Sequence, residues 1–190
     1  MATYKRPFEA KDIKVVMYAG GLHERYGLKK LTEAFMMLPQ ENFRLKLFGS
    51  GPFVEKLKTK YTKKDSRIQY MGVAPNAEVV AAELDASLLV NPRPTHEEFT
   101  KYSFPSKNIE YMASGTPLLT TKLPGMPKEY YPYVFLIENE SVEGYAKALE
   151  SVLAQSDEEL YVFGEKAKDF VLEKKNSFEQ AKRVIELIKL

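Results

Sequence analysis

Val15-Val16-Met17-Tyr18-Ala19-Gly20-Gly21-Leu22-His23-Glu24-Arg25-Tyr26-Gly27-Leu28 is the stretch on which the fold turns. Residues 15–19 form a short apolar run whose residue types suit a buried parallel strand. The run stops at paired glycines. Leu28, Leu31, Phe35 and Leu38 then recur at helical spacing until Pro39 ends the pattern. A strand, a glycine turn and a helix make the first unit of an alternating fold.

The unit repeats downstream. Residues 43–48 read as a second strand closed by Gly49-Ser50-Gly51-Pro52, and residues 53–60 have helical apolar spacing. Residues 67–71 and 77–83 give a third strand and helix, and residues 86–91 a fourth strand. Beyond a polar loop, residues 107–113 are predicted helical, Gly115 punctuates them, and residues 117–120 and 134–137 are short strands. The tail carries three helical stripes: Tyr145, Leu149 and Val152; Leu160, Phe163, Ala167 and Val171; Phe178, Ala181, Val184 and Ile188. These faces are expected to pack on the sheet. The pattern predicts a doubly wound, mostly parallel α/β sheet with a helical tail, its ligand site outside the carboxyl ends of the strands.

Composition narrows the function classes. With 190 residues one domain is expected: a linker over residues 1–13, a core over 14–154 and a tail over 155–190. The 28 Lys plus Arg nearly balance 26 Asp plus Glu, so no field suited to a nucleic-acid backbone is expected, and any anion site must be local. The absence of cysteine removes disulfides, thiolate metal sites and a cysteine nucleophile. Uncharged stretches with apolar content, such as residues 86–92 and 111–121, fall well short of the roughly 18 residues a membrane span requires. The first 14 residues lack the apolar core of a signal peptide.

The glycine loop at Gly20 and Gly21 reads as an anion cradle at a helix N-terminus or as a plain turn. Arg25 is a phosphate partner or a solvated charge, and His23 a loop residue. Gly49-Ser50-Gly51-Pro52 begins like a dinucleotide fingerprint, but Val54 stands where its third glycine belongs. The densest chemistry follows the fourth strand, from Asn91 through Arg93, Tyr102, Ser103, Phe104 and Ser106 to Glu110. Ser103 or Ser106 is expected to cap the next helix, with Lys107 adding positive charge beside its N-terminus. Lys107 and Glu110 share one helix face, where they can hold phosphate and ribose or simply pair with each other. Arg93 can clamp phosphate or pair with Glu97 or Glu98. No Asp-x-Asp occurs and the only imidazoles are His23 and His96, so no metal or other cofactor is predicted.

Lys107-Asn108-Ile109-Glu110-Tyr111-Met112-Ala113-Ser114-Gly115-Thr116-Pro117 resembles the donor-binding half of GT-B glycosyltransferases of the large retaining family four, the glycosyl transferases group 1. The resemblance extends to Tyr18-Ala19-Gly20-Gly21, Phe48-Gly49-Ser50-Gly51-Pro52 and Tyr70-Met71-Gly72-Val73, in the family's order. It covers residues 14–154 and implies a Rossmann-like domain. By resemblance, Glu110 binds the nucleotide ribose, Gly72 and Val73 meet the base through backbone groups, and Gly20, Gly21, Gly49 and Gly51 line the diphosphate cleft. The chain also departs from the pattern. Many members carry an arginine after the first-loop glycine and a lysine further on, where this chain has Gly21 and Tyr26. The first of the family's paired glutamates falls at Tyr102.

The resemblance implies a nucleoside diphosphate sugar as substrate. It also implies a saccharide or lipid-linked acceptor held by an N-terminal domain that this chain lacks, in cytoplasmic polysaccharide assembly compatible with peripheral attachment at the inner membrane face. Arg25 and Lys107 are the residues expected to stabilise the departing diphosphate. Two other readings stay open: a non-catalytic scaffold with the same fold, and half of a sugar-nucleotide epimerase.

Overall fold

The computed structural model describes residues 7–102 and 104–188. In chain order the elements are β1 (Lys14–Ala19), α1 (Leu28–Met36), β2 (Phe43–Phe48), α2 (Phe53–Lys56), α3 (Thr62–Lys64) and β3 (Ile68–Gly72). A π-helical turn, Leu57–Tyr61, joins α2 to α3, so the predicted second helix is present with a widened turn inside it. Then follow α4 (Asn76–Asp85), β4 (Leu88–Asn91), α5 (Ser106–Ser114), β5 (Leu118–Thr121), β6 (Phe135–Ile137), α6 (Val142–Leu153), α7 (Asp157–Lys174) and α8 (Ser177–Ile188).

All six strands are parallel, in the order β3-β2-β1-β4-β5-β6. The chain therefore winds outward from β1 to one edge, returns beside β1 and winds to the other. The strand order reverses between β1 and β4, which is where a crevice forms in sheets of this kind. Here the crevice has a local cause. β1 pairs with β2 along its whole length, from Lys14↔Phe43 to Ala19↔Phe48, but with β4 only at Val16↔Leu88 and Met17↔Leu89. Beyond Met17 the two strands part.

Alternation along β1 sends its side chains into two cores. Val16 and Tyr18 join Leu28, Leu31 and Phe35 of α1, Phe53 of α2, and Tyr145 and Leu149 of α6. Val15, Met17 and Ala19 join Tyr111 and Met112 of α5 and Ala167 and Val171 of α7. The first two tail stripes thus pack inward as expected, α6 beside α1 and α7 beside α5. The third stripe does not. Phe178, Val184 and Ile188 of α8 are 67%, 55% and 78% exposed, so the expectation that this face packs on the sheet is corrected. Within the segment read as a linker, Phe8 meets Tyr161 edge to face, and the Lys11 N–H donates to Asp157 at 2.8 Å.

Candidate donor-binding cleft

The residues after each strand are brought together by one set of loop contacts. The Gly20 N–H donates to Phe48 O and the Leu22 N–H to Ser50 O, while the Gly49 N–H donates to Gly72 O at 2.7 Å. The loops after β1, β2 and β3 are thereby laced side by side. Gly49, at φ +125°, lies against the Gly20 carbonyl, where a β-carbon would come within 1.9 Å of the oxygen. Gly51 lies against the Leu22 carbonyl in the same way. These glycines set loop spacing first. The amides of Gly20 and Leu22, expected to cradle an anion, are already bonded to the neighbouring loop, which narrows that expectation to the remainder of the segment.

Above the parted strands is a cavity of about 210 Å3, lined by Ala19, Gly20, Phe48, Gly49, Val73, Ala74, Asn76, Val79 and Lys107. It joins the loops after β1, β2 and β3 to the start of α5, as the topology requires. A cavity of about 260 Å3 lies at the opposite ends of the strands, beside Ser87, Pro117 and the anchored N-terminal segment. The rule that ligands of open parallel sheets sit at carboxyl ends makes the smaller cavity the candidate.

Helix α5 forms one wall, and its placement depends on Tyr111. The Tyr111 hydroxyl is fully buried, receives the Ala19 N–H at 2.8 Å and donates to Ala19 O at 3.2 Å. It replaces the rung that β4 no longer supplies. Burial holds this phenol well above its ordinary pKa, so it stays protonated. One turn earlier, Lys107 Nζ lies 2.8 Å from Glu110 and 3.4 Å from Glu83, and 5.5 Å over the Tyr111 ring. Glu83, on α4, is 1% exposed, and burial raises its pKa against the opposing pull of Lys107. Sequence reasoning missed Glu83. The pairing of Lys107 with Glu110 is realised, with a second carboxylate added, so one ammonium faces two acidic groups.

The cap of α5 also differs from expectation. Ser106 is the first helical residue, the N-cap is Pro105, and no side chain caps the end. Proline at the N-cap supplies no side-chain acceptor, so no side chain satisfies the first amides of α5. Ser103 lies outside the described residues. Below the helix start, Asn91 Nδ2 donates to Asn108 Oδ1, both side chains buried.

Cations gather on the other side of the β1 loop. Arg25 and Arg93 lie over the Tyr26 ring, 5.2 and 5.0 Å from its centroid, and Arg93 is 5.8 Å from the Phe99 ring. Among the described residues neither arginine pairs with a carboxylate: Glu24 is taken by Lys56 at 2.7 Å, and Glu97 faces His96. The expected alternative for Arg93, a pair with Glu97 or Glu98, is not formed. Tyr18 lies beneath, its hydroxyl donating to Gly21 O at 3.1 Å, with its pKa pushed up to about 12 by burial against the opposing field of Arg93.

Of the expected site residues, Gly20, Gly49, Val73 and Lys107 line the cavity, and Gly21, Arg25, Tyr26, Gly51, Gly72, Arg93, Tyr102, Phe104, Ser106 and Glu110 do not. Tyr102 is 84% exposed and does not line the cavity. Phe104 packs its ring on Tyr130 at 4.6 Å, within the second core. Gly72 faces open space, and it is its neighbour Val73, 75% exposed, that reaches the cavity wall. Among the described residues no cluster of His, Asp and Glu could hold a metal ion, and no helix is long and apolar enough to cross a membrane.

Comparison with known proteins bears on the fold and the family. WcaL of Escherichia coli K12, named as a colanic acid biosynthesis glycosyltransferase, is 29% identical over 129 residues, covering 65% of this chain and 32% of WcaL. The chain thus spans about a third of the length of that curated relative. The C-terminal domain of LpcC, a glycosyl transferase group 1 family protein of Francisella tularensis, superposes with a TM-score of 0.70 at 19% identity over 87% of each chain. HepE of Anabaena, solved with UDP and glucose, does so with a TM-score of 0.74 at 15% identity, over 94% of this chain and 48% of its own. These structural likenesses speak for the fold. The sequence speaks for the family: the family model described as Glycosyl transferases group 1 matches residues 3–170, and the chain belongs to that family.

Proposed function

We propose that this chain is the donor-binding part of a retaining glycosyltransferase that moves a sugar from a nucleoside diphosphate sugar to a saccharide or lipid-linked acceptor in polysaccharide assembly. The observation that carries the reading is the division of charge across the crevice. The cavity side presents Lys107, paired with Glu110 and with the buried Glu83, and the other side presents Arg25 and Arg93, without carboxylate partners among the described residues. A nucleoside diphosphate has the matching division. Its neutral nucleoside is assigned to the cavity between Val73 and Lys107, with Glu110, held beside Lys107, as the carboxylate that accepts hydrogen bonds from ribose hydroxyls. Its diphosphate fits the arginine side.

In this reading Lys107 orients Glu110 as much as it attracts phosphate, because its charge is already shared with two carboxylates. Arg25, Arg93 and the uncapped start of α5 stabilise the diphosphate as it departs. Negative charge grows on the leaving group as its bond to the sugar breaks, so fixed cations lower the transition state more than the ground state. Retention, with the acceptor attacking from the leaving-group side, follows the family resemblance and requires no covalent nucleophile here. A binding partner or domain that presents the acceptor, and a cytoplasmic setting at the inner membrane face, belong to the same reading. The UDP and glucose held by HepE support a nucleotide-sugar ligand.

Thermal unfolding with UDP, GDP, ADP, CMP, NAD and their sugar conjugates tests it. A ligand at 100 times its dissociation constant stabilises by ~2.7 kcal/mol. We expect one nucleoside diphosphate to raise the midpoint selectively, and Glu110→Gln to reduce its discrimination between ribose and deoxyribose forms. No stabilisation by any of them, with this chain and with the acceptor part restored, would favour the scaffold. Turnover of a sugar nucleotide without acceptor would favour an epimerase.

A further inference from the structure

We propose that Tyr26 is a positioning residue whose ring gathers Arg25 and Arg93 into a single grip for the donor diphosphate; the inference rests on the function proposed above. The two arginines come from loops far apart in sequence, Arg25 from the 3-10 turn Glu24–Tyr26 after β1 and Arg93 from the segment after β4. Their shared surface is the Tyr26 ring, within the ~6 Å at which a cation is held by an aromatic face. Arg25 Nη2 also reaches the Tyr26 hydroxyl, at 3.4 Å.

The ring is itself fixed. Phe99 meets it edge on at 5.8 Å, and His23 packs against it at 5.0 Å. Tyr26 is therefore a stationary platform rather than a mobile surface side chain. Two guanidinium groups near one ring repel each other, and no carboxylate among the described residues lies within ion-pair distance of either. An anion carrying more than one charge relieves it, and guanidinium groups bind phosphate oxygens through paired N–H donors. The Tyr26 hydroxyl offers a phosphate one hydrogen bond and no positive charge, so the role assigned to Tyr26 runs through the arginines it holds.

The test compares Tyr26→Phe, Tyr26→Leu and Tyr26→Lys in the full chain. For each variant, dissociation constants are measured by calorimetry for UDP, GDP and ADP and for the matching nucleosides, at two salt concentrations. Tyr26→Phe, which retains the ring, should keep the diphosphate-to-nucleoside preference within about threefold. Tyr26→Leu should lower that preference about tenfold, as expected for losing two cation–ring contacts, and should flatten its salt dependence. Tyr26→Lys, which places a cation at the same point, should restore most of the preference.

An unchanged preference in Tyr26→Leu overturns the proposal, and so does an equal loss for nucleoside and diphosphate, the signature of a purely structural role. The double variant Arg25→Gln with Arg93→Gln separates the two levels. If it abolishes the preference while Tyr26→Leu does not, only the role of the ring fails. If the double variant keeps the preference, or the unsubstituted chain has none, the underlying phosphate assignment fails and this inference with it.

Discussion

Gly49 and Gly72 both hold positive φ, at +125° and +76°, yet an added methyl group would meet different surroundings. At Gly49 it would strike the Gly20 carbonyl, and at Gly72 it would meet nothing within 4 Å. Gly49→Ala should therefore cost about 3 kcal/mol or more, combining backbone strain with forced separation of two loops. Gly72→Ala should cost only about 1–2 kcal/mol, the conformational penalty alone. Urea unfolding of both variants checks the contrast, and equal losses would contradict the loop-lacing account. Both glycines were legible in the sequence as turn residues. That Gly49 keeps clear of another loop was not, because a turn pattern says nothing of what lies across from it. Glu83 was hidden for a related reason: α4 shows it as an ordinary helical glutamate, and its burial arises only when Lys107 and α5 close over it.

At the scale of elements, α7 and α8 make an instructive pair. The start of α7 is fixed by a reciprocal cap, in which the Glu159 N–H donates to Ser156 Oγ and the Ser156 N–H donates to the Glu159 carboxylate. Its apolar stripe is buried. Helix α8 has an equally clear stripe, but Phe178, Leu187 and Ile188 are exposed by two thirds or more. Removing residues 177–190 should thus shift the thermal midpoint by no more than about 2 °C, since a loss of 1 kcal/mol moves a chain of this size by about 2–4 °C. Differential scanning calorimetry measures this directly, and a fall of ~8 °C or more would show that α8 is packed in solution. Helical periodicity identified both elements. It could not say which stripe has something to face, since periodicity records one surface and packing requires two.

For the whole molecule, the alternation of strands and helices made the doubly wound sheet, and the end where the candidate site was sought, legible before any coordinates. Charge distribution across that site was not legible, because Arg25 and Arg93 meet only through the strand order. Acid stability is another global property with a local origin. At the β3 edge, Arg67 pairs with Asp65 at 2.7 Å and donates to Leu38 O and Gln40 O, tying the start of the strand to the segment after α1. The hydrogen bonds from Arg67 hold the Asp65 carboxyl below its ordinary value of 3.8. A depressed carboxyl adds stability that is present above that value and disappears as pH falls through the lowered one. Asp65→Asn should remove this contribution, lowering stability at pH 7 and flattening its decline below pH ~4, as read by unfolding at a series of pH values. A decline that stays as steep would assign acid sensitivity elsewhere. The Tyr111 hydroxyl, finally, acts as a gauge block between β1 and α5. A slot whose width is set by one phenol is cut before any ligand arrives. If the proposed donor binds there, such a slot refuses what is too wide, and the ligand gives up its own freedom on entering while the protein gives up almost none.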